Sequence, residues 1–375
     1  MRGCEGQGRF ANQLRGHHGF GKSPGLGSAL SEGYPKELSA LTTMRVGGKP
    51  KQIITCSNTQ QLYDKTLELW ETEEKFQVLA GGSNIVFADD VSDLNVLLVA
   101  NRGIEIVSEH EDYILVQVQA GHPWDEFVEW AVTNDYAGIE AMSGIPGSTG
   151  ATPVQNVGAY GQEVSEVITQ VEFLDQETGK VEIQPASFFE FSYRDSALKH
   201  GLNGIIGWVE FRLQKLDGLS VPMASGQITE QVGAEYGSQL PLRQVRDTAL
   251  ELRSSKGMVV KEEDPDSVSC GSFFTNPLVS ITKLTEFPEQ IQHWKMPDGT
   301  HVKLSAGWLI EQAGFPKGYS IPGSKAAISN KHALAITNRG GATSREILEL
   351  ARLIQERVSA RWGINLIPEP NLIGF

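Results

Sequence analysis

The segment Ile145–Gly161, IPGSTGATPVQNVGAYG, restricts the fold more than any other stretch of this chain. The stretch is too polar for a core strand and too rich in glycine for a helix. Gly147, Gly150, Gly158 and Gly161 open the backbone to positive φ and to close approach by a ligand. Small hydroxyls and the carboxamides of Gln155 and Asn156 add donors and acceptors along that surface. Regular structure must therefore be built on either side of it. The residues alone leave two readings open, a cradle for a cofactor phosphate or ring and a long surface loop.

A length of 375 residues suggests two or three domains of ~100–200 residues each. The formal net charge of −14 leaves no excess of Lys and Arg to neutralise phosphates, so no broad nucleic-acid face is expected. Cys4, Cys56 and Cys270 are widely spaced, which argues against a disulfide framework or structural zinc and for a reducing, cytoplasmic setting. Residues 1–33 are read as a disordered extension, because they lack the apolar run of a signal peptide. No window approaches the ~18 apolar residues of a membrane span, so no membrane insertion is expected. Gly21–Gly25 matches G-x-S-x-G, but no strand precedes it and no helix follows, so it is read as chance.

The rest of the chain falls into three blocks. Gln52–Thr55 and Phe76–Ala80 predict strands around a helix with Leu62, Leu67 and Trp70, opened by a capping box at Ser57–Gln60. The second strand runs into Gly81-Gly82-Ser83-Asn84, and Ile85–Phe87 resumes extended structure. In the middle block Tyr113–Ala120 reads as a strand, and Trp124, Phe127, Val128 and Ala131 mark one helix face. Val171–Leu174 and Val181–Ile183 flank a hairpin turn, and another strand follows at Ile205–Leu213. In the third block helices are predicted through Leu242–Leu252, through Trp308–Ala313 closed by Gly314, and through Ile347–Val358. The last of these has a Thr343-x-x-Glu346 cap and Gly363 past its end. The fold class is α+β.

Familiar sites are absent from the sequence. No G-x-G-x-x-G lies between a strand and a helix, Ser324-Lys325 reverses the P-loop order, and outside the N-terminal tail no histidine cluster has metal-ligand spacing. What remains is two glycine-rich, hydroxyl-bearing loops, Gly81–Asn84 and Pro146–Gly161. Successive backbone N–H groups in such loops make anion-binding concavities, and two of them suit a pyrophosphate carried between ring systems.

Six segments, in order, carry a resemblance. Leu79–Asn84, Ile145–Gly161, Tyr193-Arg194-Asp195-Ser196, Gly271–Pro277, Ala306–Ile310 and Pro368-Glu369 together resemble the UDP-N-acetylenolpyruvoylglucosamine reductases of bacterial peptidoglycan synthesis. The resemblance spans Leu41 to Gly374. It implies an FAD-binding domain of the vanillyl-alcohol-oxidase type in two subdomains, residues 34–100 and 101–216. A substrate-binding domain, 217–362, and a C-terminal segment returning to the active site, 363–375, would follow. It also implies two half-reactions. NADPH reduces FAD and leaves; UDP-N-acetylglucosamine enolpyruvate then receives hydride at its methylene carbon and a proton at the adjacent carbon. The small-molecule substrates are the only partners expected, and the chain is expected to be a monomer.

The same resemblance assigns roles. Arg194 is the cation beside the enolate, Ser272 the proton donor and Glu369 the assisting carboxylic acid. Gly81, Gly82, Ser83, Asn84, Ile145, Pro146, Gly147, Ser148, Thr152, Gln155, Asn156, Gly158 and Tyr193 are the cofactor residues, with no metal. Lys256, Asn276 and Lys317 fall at diphosphate positions, Arg253 adds to that patch, and His332 aligns with a polar substrate contact. Two departures stand out. Ser225-Gly226 replaces an aromatic lid, for which Tyr236 or Tyr319 could compensate, and Asn371 stands where arginine is common. Two other functions remain open: an oxidase of the same fold, with FAD tethered through a residue such as His122, and a catalytically silent flavin or nucleotide-sugar binder.

Overall fold

A computed structural model describes residues 37–296 and 298–375. The expected extension at 1–33, with its Gly21–Gly25 match and Cys4, lies outside the described residues.

The first block runs β1 (Pro50–Cys56), α1 (Thr59–Glu71), β2 (Phe76–Leu79), β3 (Ile85–Phe87) and β4 (Val91–Val99). β1 and β2 flank β4, both parallel to it, with Ile54 and Val78 each opposite Leu97. The cap of α1 is Asn58, one residue later than the sequence suggests, and the reciprocal bond of a capping box is not made to it. Asn58 accepts from Gln61 N at 2.9 Å, while Gln61 Oε1 accepts from Ser57 N at 3.0 Å. Leu62, Tyr63, Thr66 and Leu69 form the buried face. Parallel strands with a crossover helix leave the loop after β2 free at the sheet's carboxyl edge, which is where Gly81–Asn84 begins.

The middle block supplies β5 (Ile104–Glu109), β6 (Tyr113–Gln119), α2 (Trp124–Thr133) and the two-residue strands β7 (Tyr136–Ala137), β8 (Gly158–Ala159) and β9 (Gln162–Glu163). After these come β10 (Ile168–Asp175), β11 (Val181–Pro185) and β12 (Gly204–Lys215). The strands β11-β10-β12-β6-β5 form an antiparallel sheet, with the expected hairpin at β10–β11. Ile114, Val116 and Val118 point to one buried face. Against it α2 packs Trp124 and Phe127, whose ring centroids lie 6.0 and 5.0 Å from that of Phe211. Each large side chain buried this way contributes about 1.5–3 kcal/mol.

The third block contains α3 (Gly226–Val232), α4 (Leu242–Ser255), β13 (Leu278–Ser280), β14 (His293–Lys295), β15 (His301–Leu304), α5 (Ala306–Gln312), β16 (Ala326–Ile328), β17 (Ile336–Asn338), α6 (Ser344–Trp362) and β18 (Asn371–Ile373). The box predicted for α6 is formed by Thr343 and Glu346, and Gly363 ends the helix at φ 62°. Its buried face, Ile347, Leu350, Ala351, Ile354 and Val358, shares a core with Met44, Val46 and Val86 of the first block. β18 lies parallel to β3, Asn371 opposite Ile85. That pairing brings the end of the chain back to the loop after β2. α3 and the strands β13–β15 were not anticipated, being too short to show a period.

Candidate active site

The two glycine-rich loops meet backbone to backbone. A Cβ on Gly81 would lie 2.5 Å from Gly147 Cα, so nothing larger than glycine fits there. Hydrogen bonds join the loops on either side of this contact. Ser83 Oγ donates to Pro146 O at 2.9 Å, and Asn84 Nδ2 donates to Gln155 Oε1 at 2.7 Å.

Between them opens a cavity of about 550 Å³. Its walls include Gly81, Gly82, Ser83, Asn84, Ile145, Pro146, Gly147, Ser148, Thr152, Gln155, Gly158 and Tyr193. The size is that of a cofactor pocket. Ser148 Oγ is buried without a hydrogen-bond partner, and the close-packed glycines present bare backbone. Both features fit a bound group that brings its own phosphates and ring edges. Asn156 is the exception among the expected cofactor residues, since it does not line the cavity. Its φ is 44°, and its amide is spent on Glu163 Oε2 at 2.8 Å and Ser192 O at 3.0 Å, with Oδ1 accepting from Ser165 N at 3.1 Å. It ties the loop from behind.

Arg194, Ser272 and Glu369, far apart in sequence, line the same cavity. Arg194 occupies a tight turn in which Ser192 and Asp195 bond each other, and it has φ 55°. Its guanidinium donates to Asn156 O at 3.2 Å, to Gly158 O, and to Glu163 Oε1 at 3.3 Å. The glycine loop therefore aims the arginine. Ser272 follows Gly271, whose φ of 76° turns the chain into the cavity. Glu369 is pinned from two sides, its N–H donating to Phe273 O at 2.9 Å and its carbonyl accepting from Asn84 Nδ2 at 3.3 Å. Burial pushes its carboxyl above the ordinary carboxylate range, while Arg194 and, less strongly, Lys199 pull it back. Asn371 lines the cavity too, and its N–H donates to Asn84 O at 3.0 Å.

A basic group lies by the far end. Arg253 lines the cavity with its Nε buried and unpartnered, and Nη2 donates to Met258 O at 3.0 Å. Burial lowers the pKa of Arg253, and burial followed by the Arg253 charge lowers that of Lys256. Asn276 also lines the cavity and accepts from Ala306 N at 2.9 Å. Lys256, Lys317 and His332 do not line the cavity; they lie near one another, and burial followed by the two lysine charges brings the imidazole down to about 4. His332 is therefore neutral at pH 7. With Nδ1 accepting from Leu334 N at 3.2 Å, its proton is assigned to Nε2.

Two expectations need correcting. Neither Tyr236 nor Tyr319 lines the cavity. Tyr236 is 72 % exposed, and Tyr319 packs edge-on against Phe315 at 4.9 Å. Ser225 instead caps α3 through Ile228 N. An aromatic ring beside the basic group is that of Tyr160, with Lys256 Nζ 5.6 Å from its centroid. Tyr160 lies inside the opening loop, and its φ of 50° places a tyrosine where glycine is usual, which the sequence does not show. His122 also lies outside the cavity wall, its two ring nitrogens buried and unpartnered, and is not placed to tether a flavin.

A model of an FAD-binding domain matches residues 50–183, and one for the C-terminal domain of UDP-N-acetylenolpyruvoylglucosamine reductase matches residues 264–373. A protein of that name from Leifsonia xyli is 43% identical over 91% of this chain and 99% of its own length. Another, from Mycobacterium marinum, is 44% identical over 93% and 96% respectively. The chain belongs to the UDP-N-acetylenolpyruvoylglucosamine reductase family. A crystal structure of the reductase from Thermus caldophilus covers 90% of the chain at a TM-score of 0.62 and 23% identity, which supports the shared fold. As a member of this family the chain is an FAD-dependent oxidoreductase; Gly81 and Gly147 both lie within the stretch matched by the FAD-binding model, and the cavity is also lined by Ser272 and Glu369 of the stretch matched by the C-terminal one. Among the described residues no helix is long and apolar enough to cross a membrane.

Proposed function

We propose that this chain reduces UDP-N-acetylglucosamine enolpyruvate to UDP-N-acetylmuramate with NADPH as reductant, acting as a cytoplasmic monomer. In this reading residues 34–100 and 101–216 hold the cofactor, 217–362 hold the nucleotide sugar, and 363–375 deliver the carboxyl group. The observation that carries it is the convergence of Arg194, Ser272 and Glu369 on the cavity bordered by the two glycine loops.

FAD, when held by the two glycine loops, would supply the hydride chemistry that links NADPH to the methylene carbon of the enolpyruvyl group. Everything else falls to side chains. Gly81–Asn84 and Ile145–Gly158 hold the cofactor by backbone N–H groups and exclude water from one side. The enolate left after hydride addition carries charge beside the substrate carboxylate. Arg194, already fixed by three acceptors, offers its charge and its remaining N–H groups to that oxygen. Glu369, held toward its acid form by burial, donates a hydrogen bond to the same oxygen. The Ser272 hydroxyl passes its proton to the adjacent carbon, completing a net addition of hydride and proton across the double bond. At the far end Arg253, Lys256, Asn276, Lys317 and His332 receive the diphosphate, the lysines as point charges and His332 as a neutral donor.

Anaerobic mixing with NADPH, followed by the enolpyruvyl nucleotide, tests the reading through flavin absorbance. Bleaching and then recovery of the yellow colour is the expected course. In Ser272→Ala bleaching should keep its rate while recovery slows by ~10²–10⁴. Equal slowing of both steps contradicts the role given to Ser272, and no recovery in the parent protein contradicts the substrate.

A further inference from the structure

One cation in the cavity wall has no task in the mechanism above. Lys199 lines the cavity with Arg194 and Glu369, and its Nζ donates to the carbonyl oxygen of Arg194 at 3.1 Å. Arg194 has φ 55°, a conformation that a residue with a Cβ keeps only when its surroundings impose it. The other bonds closing the turn act on its neighbours. Ser192 and Asp195 exchange backbone bonds at 3.1 and 3.2 Å, and Asn156 Nδ2 holds Ser192 O at 3.0 Å. Among the hydrogen bonds of the described residues, the one from Lys199 is what grips the Arg194 carbonyl itself. The nearest competing carboxylate, Asp195, is 4.0 Å from the Lys199 ammonium and bonds His200 Nε2 at 2.7 Å instead. The ammonium therefore remains available to the cavity.

We propose that Lys199 is a positioning residue for the enolpyruvyl half of the reaction, fixing the peptide of Arg194 and presenting a second positive charge to Glu369. The proposal rests on the function given above. The charged or titratable groups facing Glu369 are Arg194 and Lys199, from the segment after β11, and Cys270, from the turn before Ser272. Cys270 is a protonated thiol and contributes no charge at neutral pH. Arg194 and Lys199 are thus the two groups that oppose the effect of burial on the Glu369 carboxyl. Removing the Lys199 charge lets that carboxyl hold its proton to higher pH, and a guanidinium at the same position restores the charge.

The test compares wild type, Lys199→Met and Lys199→Arg as flavin-loaded full-length protein. Recovery of flavin absorbance after the enolpyruvyl nucleotide is followed across pH. Carbon-13 spectra of glutamate-labelled protein, with Glu369→Gln for assignment, report the Glu369 carboxyl directly. Lys199→Met is expected to slow recovery on the order of tenfold to a hundredfold with KM little changed, as for a displaced catalytic group. A donor active in its acid form loses rate as pH rises through its pKa. The alkaline limb of the profile and the carbon-13 titration should therefore both move to higher pH in Lys199→Met and return in Lys199→Arg. Wild-type rate and an unmoved carboxyl in Lys199→Met overturn the proposal, as does a Lys199→Arg protein that stays as impaired as Lys199→Met with its titration still shifted to higher pH. Failure of the wild type to recover on the nucleotide counts against the substrate, and the carbon-13 titration then still decides the part played by Lys199.

Discussion

Replacing Gly81 by alanine tests the cavity at its narrowest point. The added Cβ would lie 2.5 Å from Gly147 Cα, 2.7 Å from the Gly147 carbonyl carbon and 3.2 Å from Ser148 N, all of them backbone atoms that no rotamer change can clear. Gly81 itself has an ordinary φ, so the effect is contact and not conformational strain. The loops must separate by about an ångström to regain van der Waals distance, which also lengthens the bond from Ser83 Oγ to Pro146 O, now 2.9 Å. Overpacking of this kind costs about 1–3 kcal/mol. If that cost falls on closing the cradle around FAD, affinity drops roughly 5- to 150-fold, since 1.4 kcal/mol is tenfold. The assay is fluorescence titration of the flavin-free protein with FAD. Gly226→Ala, where the added atom meets only Glu230 Oε1 at 3.6 Å, serves as the control and should bind as wild type. A Gly81→Ala protein that binds FAD within threefold of wild type refutes the argument that this backbone contact forms the cradle.

Other perturbations follow from the same geometry. Arg246, with a side chain 4 % exposed, ties α4 to α2 through Asp125 at 2.7 and 3.0 Å and Glu129 at 2.9 Å. Arg246→Met should lower stability by about 2–3 kcal/mol in urea unfolding, less than a fully buried pair because water reaches both carboxylates, and should raise KM for the nucleotide because α4 carries Arg253. Glu346 is held at about 2, against 4.5 ordinarily, by the Thr343 and Lys325 N–H groups. A folded pKa below the unfolded one stabilises above the unfolded value and stops doing so as pH falls through the folded value. The deficit of Glu346→Gln relative to wild type, read from melting temperature, should therefore be present at pH 7 and fade between about pH 4.5 and 2. Burial, followed by the Glu369 charge, pushes Cys270 up to about 12, so iodoacetamide at pH 8 should leave it unmodified in folded protein and label it in urea.

The sequence disclosed elements whose period survives in one stretch. α2 and α6 declared themselves through a repeated apolar face and, for α6, a Thr343–Glu346 box; the β10–β11 hairpin declared itself through its turn. It also held both glycine loops in plain sight, but not the fact that Gly81 touches Gly147, because contact between distant glycines leaves no local pattern. β3 and β18 illustrate the same limit. Each is three residues long, and neither shows that the other is its parallel partner. Asn156 misled by type. Its carboxamide suited a cofactor contact, yet its left-handed backbone turns it toward Glu163 and Ser192. Lys199 was passed over for the converse reason, since only the folded turn shows that it reaches the Arg194 carbonyl.

The pairing of β18 with β3 has a bearing on synthesis as well as on catalysis. Asn84 and Glu369, which share a hydrogen bond in the finished protein, are 285 positions apart. At ~5–20 residues per second a ribosome needs roughly 15–60 s to cover that interval. Throughout it the nascent chain already contains Gly81–Asn84 and, soon after, Ile145–Gly161, while the carboxyl group has not yet been made. Parallel addition of the last strand is thus the event that completes the site, and a frameshift between Trp362 and Glu369 would spare the cradle while removing the acid.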